Sequence, residues 1–244
     1  MMLVVENLSQ SYSENSLVLD NISFAIAPGT FTAILGRSGA GKTTLLRSLL
    51  RLHQPQKGHV WFNHCDLLSC SSRELQKQRR NIATIAQQFN LISRRNALEN
   101  CLGGRLNEIP LWRCFLNRFP VELQREGLIA LERVNLLEMA FQRADRLSGG
   151  QQQRVAIARA LTQKASLILA DEPVASLDPQ TAHQVLSLLR SLCDQDHLTV
   201  ICNLHQVELA RQYSDRLLGL NRGKLILDCP TSELKASDFQ QIYQ

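Results

Sequence analysis

The sequence predicts an α/β fold: a parallel or mixed core sheet, an antiparallel β section near the N-terminus and an inserted α-helical section. Three observations predict it. The apolar run Phe31-Thr32-Ala33-Ile34-Leu35 leads through Gly36-Arg37-Ser38-Gly39-Ala40-Gly41-Lys42-Thr43-Thr44 into the helical pattern Leu45 to Leu50, the order strand, glycine-rich loop, helix. The run Leu167-Ile168-Leu169-Ala170 reads as a buried strand that ends in Asp171-Glu172-Pro173. Between about residues 89 and 146 the β signal disappears and apolar residues recur at helical spacing.

A chain of 244 residues, 44% of them hydrophobic, suits one large domain or two small ones with a real core. No uninterrupted apolar run exceeds the five residues Met1 to Val5, so no segment is expected to span a bilayer. The start Met-Met-Leu-Val-Val-Glu-Asn lacks the basic region and long apolar stretch of a secretory signal. Seven cysteines, odd in number and without C-x-x-C spacing, predict reduced thiols and argue against a metal site built on them. Net charge is +5, with basic clusters at Lys77-Gln78-Arg79-Arg80 and Arg94-Arg95; such clusters are most often solvated faces, and this charge selects no partner class.

Taken in order, residues 1 to 30 read as short strands, Leu3-Val4-Val5 and Ile22 to Ile26, with turns at Ser13-Glu14-Asn15 and Pro28-Gly29. Tyr12 lies near the first turn, where an aromatic ring can stack on a base or simply cover surface. Gly58 to Phe62 reads as a strand, Arg73 to Arg80 as a polar helix, and Ile82 to Ala86 as a short strand ending at Gln87-Gln88. Gln87 can reach a metal or a water, or be a polar loop residue. In the helical stretch, Leu128, Leu131, Val134 and Leu137 are spaced for one face, as are Leu111, Phe115 and Phe119. Leu147-Ser148-Gly149-Gly150-Gln151 opens another helix, capped by Ser148, whose Val155, Ala158 and Leu161 line a buried side. Its N-terminus is either a capped end after a Gly-Gly turn or a second anion-binding helix end. The last third alternates: a helix from Thr181 to Leu192, a strand from Leu198 to Cys202, a helix beginning at His205, and a hairpin around Asn221-Arg222-Gly223. His205, just past a strand end, is a cap or a γ-phosphate contact.

The chemistry starts at the glycine-rich loop, which fits G-x-x-x-x-G-K-[ST] in full. Glycines let the backbone wrap around phosphates, while loop amides and the helix N-terminus supply partial positive charge. Lys42 adds a full charge near the β and γ phosphates, and the Thr43 hydroxyl can ligate Mg²⁺. The loop therefore predicts a nucleoside triphosphate site. Carboxylates at the carboxyl end of a central parallel strand stand where such sheets bind ligand. Asp171 suits the hydration shell of Mg²⁺, and Glu172 the role of base toward an attacking water.

These three motifs, the loop 36–44, Leu147-Ser148-Gly149-Gly150-Gln151 and Leu167 to Pro173, in this order, resemble the nucleotide-binding subunit of ABC transporters over essentially the whole chain. The resemblance implies a P-loop NTPase fold of ABC type, one domain over 1–244. Its α/β nucleotide-binding core would span about 1–88 and 160–244, and the helical signature subdomain about 89–159. It implies ATP and Mg²⁺ as ligands, with Tyr12 on the adenine and Gly36 to Thr44 on the phosphates. Thr43 and Gln87 would bind the metal, and Asp171 would reach it through water. Lys42, Gln87, Glu172 and His205 would be the catalytic set, His205 as the switch histidine. Ser148, Gly149, Gly150 and Gln151 would contact ATP across a homodimer, which decides the open reading of that helix end, and Ser176-Leu177-Asp178 would line the interface. ATP would close the dimer and hydrolysis reopen it.

The resemblance extends to local strings: Gln87 to Ile92, Leu98-Glu99-Asn100, Gly104-Arg105-Leu106, the Trp112-containing insertion, Arg143-Ala144-Asp145, Ala170 to Pro179 and Asn203 to Val207 are similar to phosphonate importers. Ala86 departs from the aromatic that many relatives carry before the glutamine. The implied function is an ATPase energising uptake of phosphonate, or of phosphite or phosphate. It would sit peripherally on the cytoplasmic face of the inner membrane with integral permease subunits, served by an extracytoplasmic solute-binding protein. An ABC ATPase for another cargo, such as an amino acid, or for export is the alternative. A soluble ATPase acting on nucleic acid or the ribosome is disfavoured, because such chains usually carry two cassettes or a long coiled coil, and no nucleic acid partner is expected.

Overall fold

Alternating apolar side chains divide the molecule into two cores, one on each face of a six-stranded sheet. The structure is a computed structural model and describes residues 2–13 and 16–243. Strands β1 (Leu3–Ser13) and β2 (Ser16–Ile26) precede β3 (Phe31–Leu35), which feeds helix α1 (Lys42–Leu49). Then come β4 (Lys57–Phe62), β5 (Cys65–Asp66), α2 (Ser72–Arg79) and β6 (Ile82–Ile85). Helices α3 (Ala97–Leu102), α4 (Leu111–Phe115) and α5 (Val121–Arg133) form the insertion. The chain closes with α6 (Gly149–Thr162), β7 (Leu167–Asp171), α7 (Pro179–Asp196), β8 (Thr199–Asn203), α8 (Val207–Tyr213), β9 (Arg216–Asn221), β10 (Lys224–Pro230) and α9 (Ala236–Tyr243).

The large sheet runs β10-β9-β3-β8-β7-β6; β3, β6, β7, β8 and β9 are parallel and β10 closes it as an antiparallel edge. Period-two alternation assigns its side chains to faces. Phe31, Ala33, Leu35, Ile168, Ala170, Val200, Cys202 and Leu217 meet the helices on one side. Ile34, Leu167, Leu169, Ile201, Leu218 and Leu220 meet α1 and the second sheet on the other. That second sheet, β2-β1-β4-β5, is antiparallel throughout. Each fully buried Leu or Ile here contributes roughly 1.5–3 kcal/mol relative to exposure, which is why these strands read as continuous apolar runs.

Several expectations are corrected. β1 and β2 are 11 residues each rather than short strands, because register shifts let the polar stretches Glu6–Gln10 and Asp20–Ser23 remain paired. Of the turn expected at 13–15, Glu14 and Asn15 lie outside the described residues. Phe119 lies outside the helix that would set it on one face with Leu111: α4 stops at Phe115, and Asn117 has φ +51°. Leu131 and Val134 are buried as their spacing predicts, but Leu137 falls in a separate short turn and is 45% exposed. Helix α8 begins at Val207, so His205 precedes it rather than starting it. The fourth core strand is displaced by one residue and includes Asn203.

Helix α6 joins the insertion to the rest. It packs on α3 and α5 at one side and α7 at the other, and its Val155, Ala156, Ile157 and Ala158 are fully buried. No helix among the described residues is long and apolar enough to cross a membrane.

Candidate active site

The phosphate loop sits between β3 and α1, wedged against β2 and the β9–β10 turn. Gly36 has no room for a side chain, since a Cβ there would lie 2.4 Å from the carbonyl oxygen of Leu220. Gly41, at φ +103°, occupies backbone space that favours glycine, and its Cβ would meet the Val18 carbonyl at 2.9 Å. The carbonyl of Ala40 accepts from the Gly223 amide at 3.1 Å, so the closing hairpin holds the loop from behind. Arg37, Ser38 and Gly39 form its exposed crest.

Lys42 is buried and folds its ammonium into the loop, donating to the carbonyls of Gly36 at 2.8 Å and Arg37 at 3.2 Å. Burial lowers its pKa, and the negative charges of Glu172 and Asp171 counter part of that effect. A cation held at the centre of a backbone cradle is poised to exchange carbonyls for phosphate oxygens.

Thr43 Oγ1 donates to Asp171 Oδ1 at 3.0 Å, joining the start of α1 to the end of β7. The parallel register sets Asn203 directly beside Asp171, and Asn203 Nδ2 donates to the same Oδ1 at 2.7 Å. Asn203 belongs to none of the phosphate-site motifs that the sequence shows. The signal was a lone amide in the apolar run Thr199-Val200-Ile201-Cys202-Asn203-Leu204. Glu172 leaves the strand at φ +51°, a strained backbone for a non-glycine residue, and its Oε1 lies 2.6 Å from His205 Nε2. Asn203, Glu172 and His205 share the wall of a cavity of about 180 Å³ with Ala175, Leu177 and Gln206.

Tyr12 is exposed, with its hydroxyl 3.2 Å from Thr44 Oγ1 and its ring edge-on to His53 at 5.3 Å. The aromatic therefore stands over the start of α1, beside the loop. Gln87 lies exposed past β6, and no hydrogen bond ties it to Thr43 or Asp171 among the described residues. The loop after it is anchored by a residue that sequence reasoning passed over. Arg159 on α6 donates to the carbonyls of Asn90 at 2.6 Å and Phe89 at 3.3 Å, both residues having positive φ. Arg159 also borders a groove of about 460 Å³ with Arg79, Arg80, Gly104, Asn107 and Gln163, between α2, β6 and the insertion.

Ser148 caps α6 as expected, in a reciprocal arrangement. Its Oγ accepts from the Gln151 amide at 3.3 Å, and Gln151 Oε1 accepts from the Ser148 amide at 2.8 Å. Ser148 is exposed, and Gly149 abuts Leu177. Asp178 caps α7 by accepting from the Thr181 amide at 3.0 Å; the Thr181 contacts hold its carboxyl below the usual range. Ser176 is exposed beside it.

Thr43 and Asp171 make an oxygen-only donor pair at the loop mouth, which fits Mg²⁺ bound by one carboxylate, a hydroxyl and substrate phosphates. Among the described residues, no cluster of three or more His, Cys, Asp or Glu side chains offers an alternative metal site.

A family model described as ABC transporter matches residues 19–175. The phosphonates import ATP-binding protein PhnC 3 of Halalkalibacterium halodurans is 43% identical over 242 residues, covering 99% of this chain and 94% of the relative. The phosphonates import ATP-binding protein PhnC of Staphylococcus aureus is 45% identical over 238 residues, covering 98% and 93%. Among solved structures, the dimeric post-hydrolysis state of the ATP-binding cassette MJ0796 bound to ADP and Pi superposes with a TM-score of 0.82. It is 33% identical, over 94% of this chain and 99% of that one.

Proposed function

This chain belongs to the ABC transporter family, and from that premise we propose that it is the ATP-hydrolysing subunit of an importer that energises phosphonate uptake. The observation that carries the cargo is full-length identity of 43% or more to phosphonates import ATP-binding proteins. The engine is supported by geometry: Lys42 inside the loop, Thr43 against Asp171, and His205 against Glu172.

In this reading Lys42 leaves its two carbonyls for the β and γ phosphates, and the loop amides take up the remaining charge. Mg²⁺, when bound, neutralises charge on the phosphates; Thr43 would ligate it, Gln87 would reach it as the loop moves, and Asp171 would hold its water. Glu172 accepts the proton of the attacking water. His205, hydrogen-bonded to Glu172, orients that carboxylate and reaches the γ-phosphate. Phosphoryl transfer asks the protein mainly for positioning and charge neutralisation, and these residues supply both. Tyr12 would stack on the adenine.

The helix end Ser148–Gln151, exposed at Ser148, is suited to take a phosphate at its free amides. A second copy would supply one head to tail, with Ser176, Leu177 and Asp178 at the joint. We read residues about 1–88 and 160–244 as the nucleotide-binding core and about 89–159 as the inserted subdomain, although α6 runs through the second boundary. Permease subunits would dock in the groove beside Gln87 and the insertion, with the chain peripheral on the cytoplasmic face. An extracytoplasmic binding protein would deliver the cargo.

The test is uptake of labelled methylphosphonate by cells with and without this chain, with Glu172→Gln as the inactive control. Uptake is expected to vanish in both the deletion and the variant, while purified Glu172→Gln still binds ATP and stays dimeric. Normal uptake in the deletion would discard the cargo. Wild-type ATP turnover by Glu172→Gln would discard Glu172 as the base.

A further inference from the structure

His205 reaches Glu172 from a short connection between β8 and α8 that belongs to neither element. Leu204 is tied to β3 by a hydrogen bond that its backbone N–H donates to the Ile34 carbonyl at 3.0 Å, but the backbone of His205 takes no part in sheet or helix. Among the described residues its backbone has one hydrogen bond: the carbonyl accepts from the Tyr243 hydroxyl at 3.1 Å. Tyr243 is half-buried, and burial together with the nearby Glu208 carboxylate pushes its phenol above 10.0, so it stays protonated and must be the donor.

The helix that carries Tyr243 is itself fixed. Ile242, next to it on α9, is fully buried against β9, where Gly219 makes room: a Cβ there would lie 2.9 Å from the Ile242 side chain. β9 is hydrogen-bonded to β3, the strand that feeds the phosphate loop. The C-terminal helix and the loop are thus referenced to one rigid sheet. The line Gly219, Ile242, Tyr243, His205, Glu172 runs from that sheet to the carboxylate.

We propose that Tyr243 is a positioning residue, tethering the His205 backbone so that the imidazole is held on Glu172 at the distance catalysis needs. The tether rests on the reading of His205 and Glu172 given above. It adds a residue 38 positions away in sequence. That one neutral hydrogen bond fixes the His205 carbonyl. Losing it leaves His205 in place for only part of the time.

Tyr243→Phe keeps the ring and its packing and removes only the hydroxyl. In the purified full chain we expect kcat for ATP to fall about three- to tenfold, with KM for ATP and the thermal midpoint unchanged. Amide hydrogen exchange over 204–207 should rise, a readout that does not depend on activity. In a His205→Ala background, Tyr243→Phe should cost nothing further, because the group it positions is gone. Wild-type turnover by Tyr243→Phe beside a slow His205→Ala would overturn the tether alone, as would the same fractional loss in both backgrounds or unchanged exchange over 204–207. Wild-type turnover by His205→Ala would instead overturn the reading of His205 on which the tether rests.

Discussion

Asn203→Leu separates the worth of a buried amide to folding from its worth to the site. Asn203 is fully buried, and leucine has the same branched heavy-atom skeleton, so the change removes polarity with little change of shape. Two terms oppose each other in stability. The bond from Nδ2 to the Asp171 carboxylate, 2.7 Å long, is charge-assisted and contributes about 1.5–3 kcal/mol. The other end of the amide, Oδ1, finds no partner among the described residues and costs about 1–3 kcal/mol in desolvation. Removing both leaves the unfolding free energy within about 2 kcal/mol of wild type. Function has no such compensation. Asp171 keeps the Thr43 hydroxyl but loses its second donor, so its carboxylate is free to rotate. Loss of a group that orients a metal-associated carboxylate typically costs about 10–100-fold, and that is the loss expected in Mg²⁺-dependent ATP turnover. Urea unfolding monitored by fluorescence reads the first quantity, and steady-state phosphate release the second. A variant destabilised by more than about 3 kcal/mol would show the amide to be mainly structural. A stable variant with wild-type turnover would refute its part in holding Asp171.

Two further outcomes follow from local geometry. Gly36→Ala places a methyl against the Leu220 carbonyl at 2.4 Å, so the loop or the strand must shift; a loss of about 1–3 kcal/mol in unfolding free energy and weaker ATP binding by titration are expected, and an unchanged pair of values would contradict the tight seat. On the second sheet, His59 Nδ1 lies 2.8 Å from Asp66 Oδ2. The hydrogen bond to Asp66 raises the His59 pKa above 6.5; burial pushes the Asp66 carboxyl up, but the bonds from His59, Leu68, Ser69 and Val60 outweigh it and hold it below 3.8. A raised histidine stabilises fully below its unfolded value and loses that contribution as pH rises through the folded one. A depressed carboxylate contributes above its unfolded value and loses it as pH falls. His59→Ala should therefore lower the urea midpoint most between 3.8 and 6.5 and least at alkaline pH. A deficit that grows with rising pH would refute the pairing.

The phosphate loop, the Asp171-Glu172 pair and the Ser148 cap were legible because each is a contiguous string whose chemistry depends on local backbone. Strand, loop and helix follow one another in sequence, and neither a distant residue nor a register is needed to see that Lys42 enters the loop. The apolar runs of β3, β7 and β8 were legible for a related reason: strands buried on both faces are apolar along most of their length. The long strands β1 and β2 were not, since their polar stretches are kept in the sheet by pairing partners rather than by propensity. The site's supporting contacts belong to the same class. Asn203 meets Asp171 because two parallel strands share a register. Arg159 reaches Phe89 and Asn90 because α6 crosses the insertion, and Tyr243 reaches His205 because Gly219 lets α9 lie close on the sheet. Which chemistry the chain carries is written in short strings of residues. Which side chains hold that chemistry in place is decided by packing between elements far apart in the chain, where burial and hydrogen-bond satisfaction act on the whole fold at once.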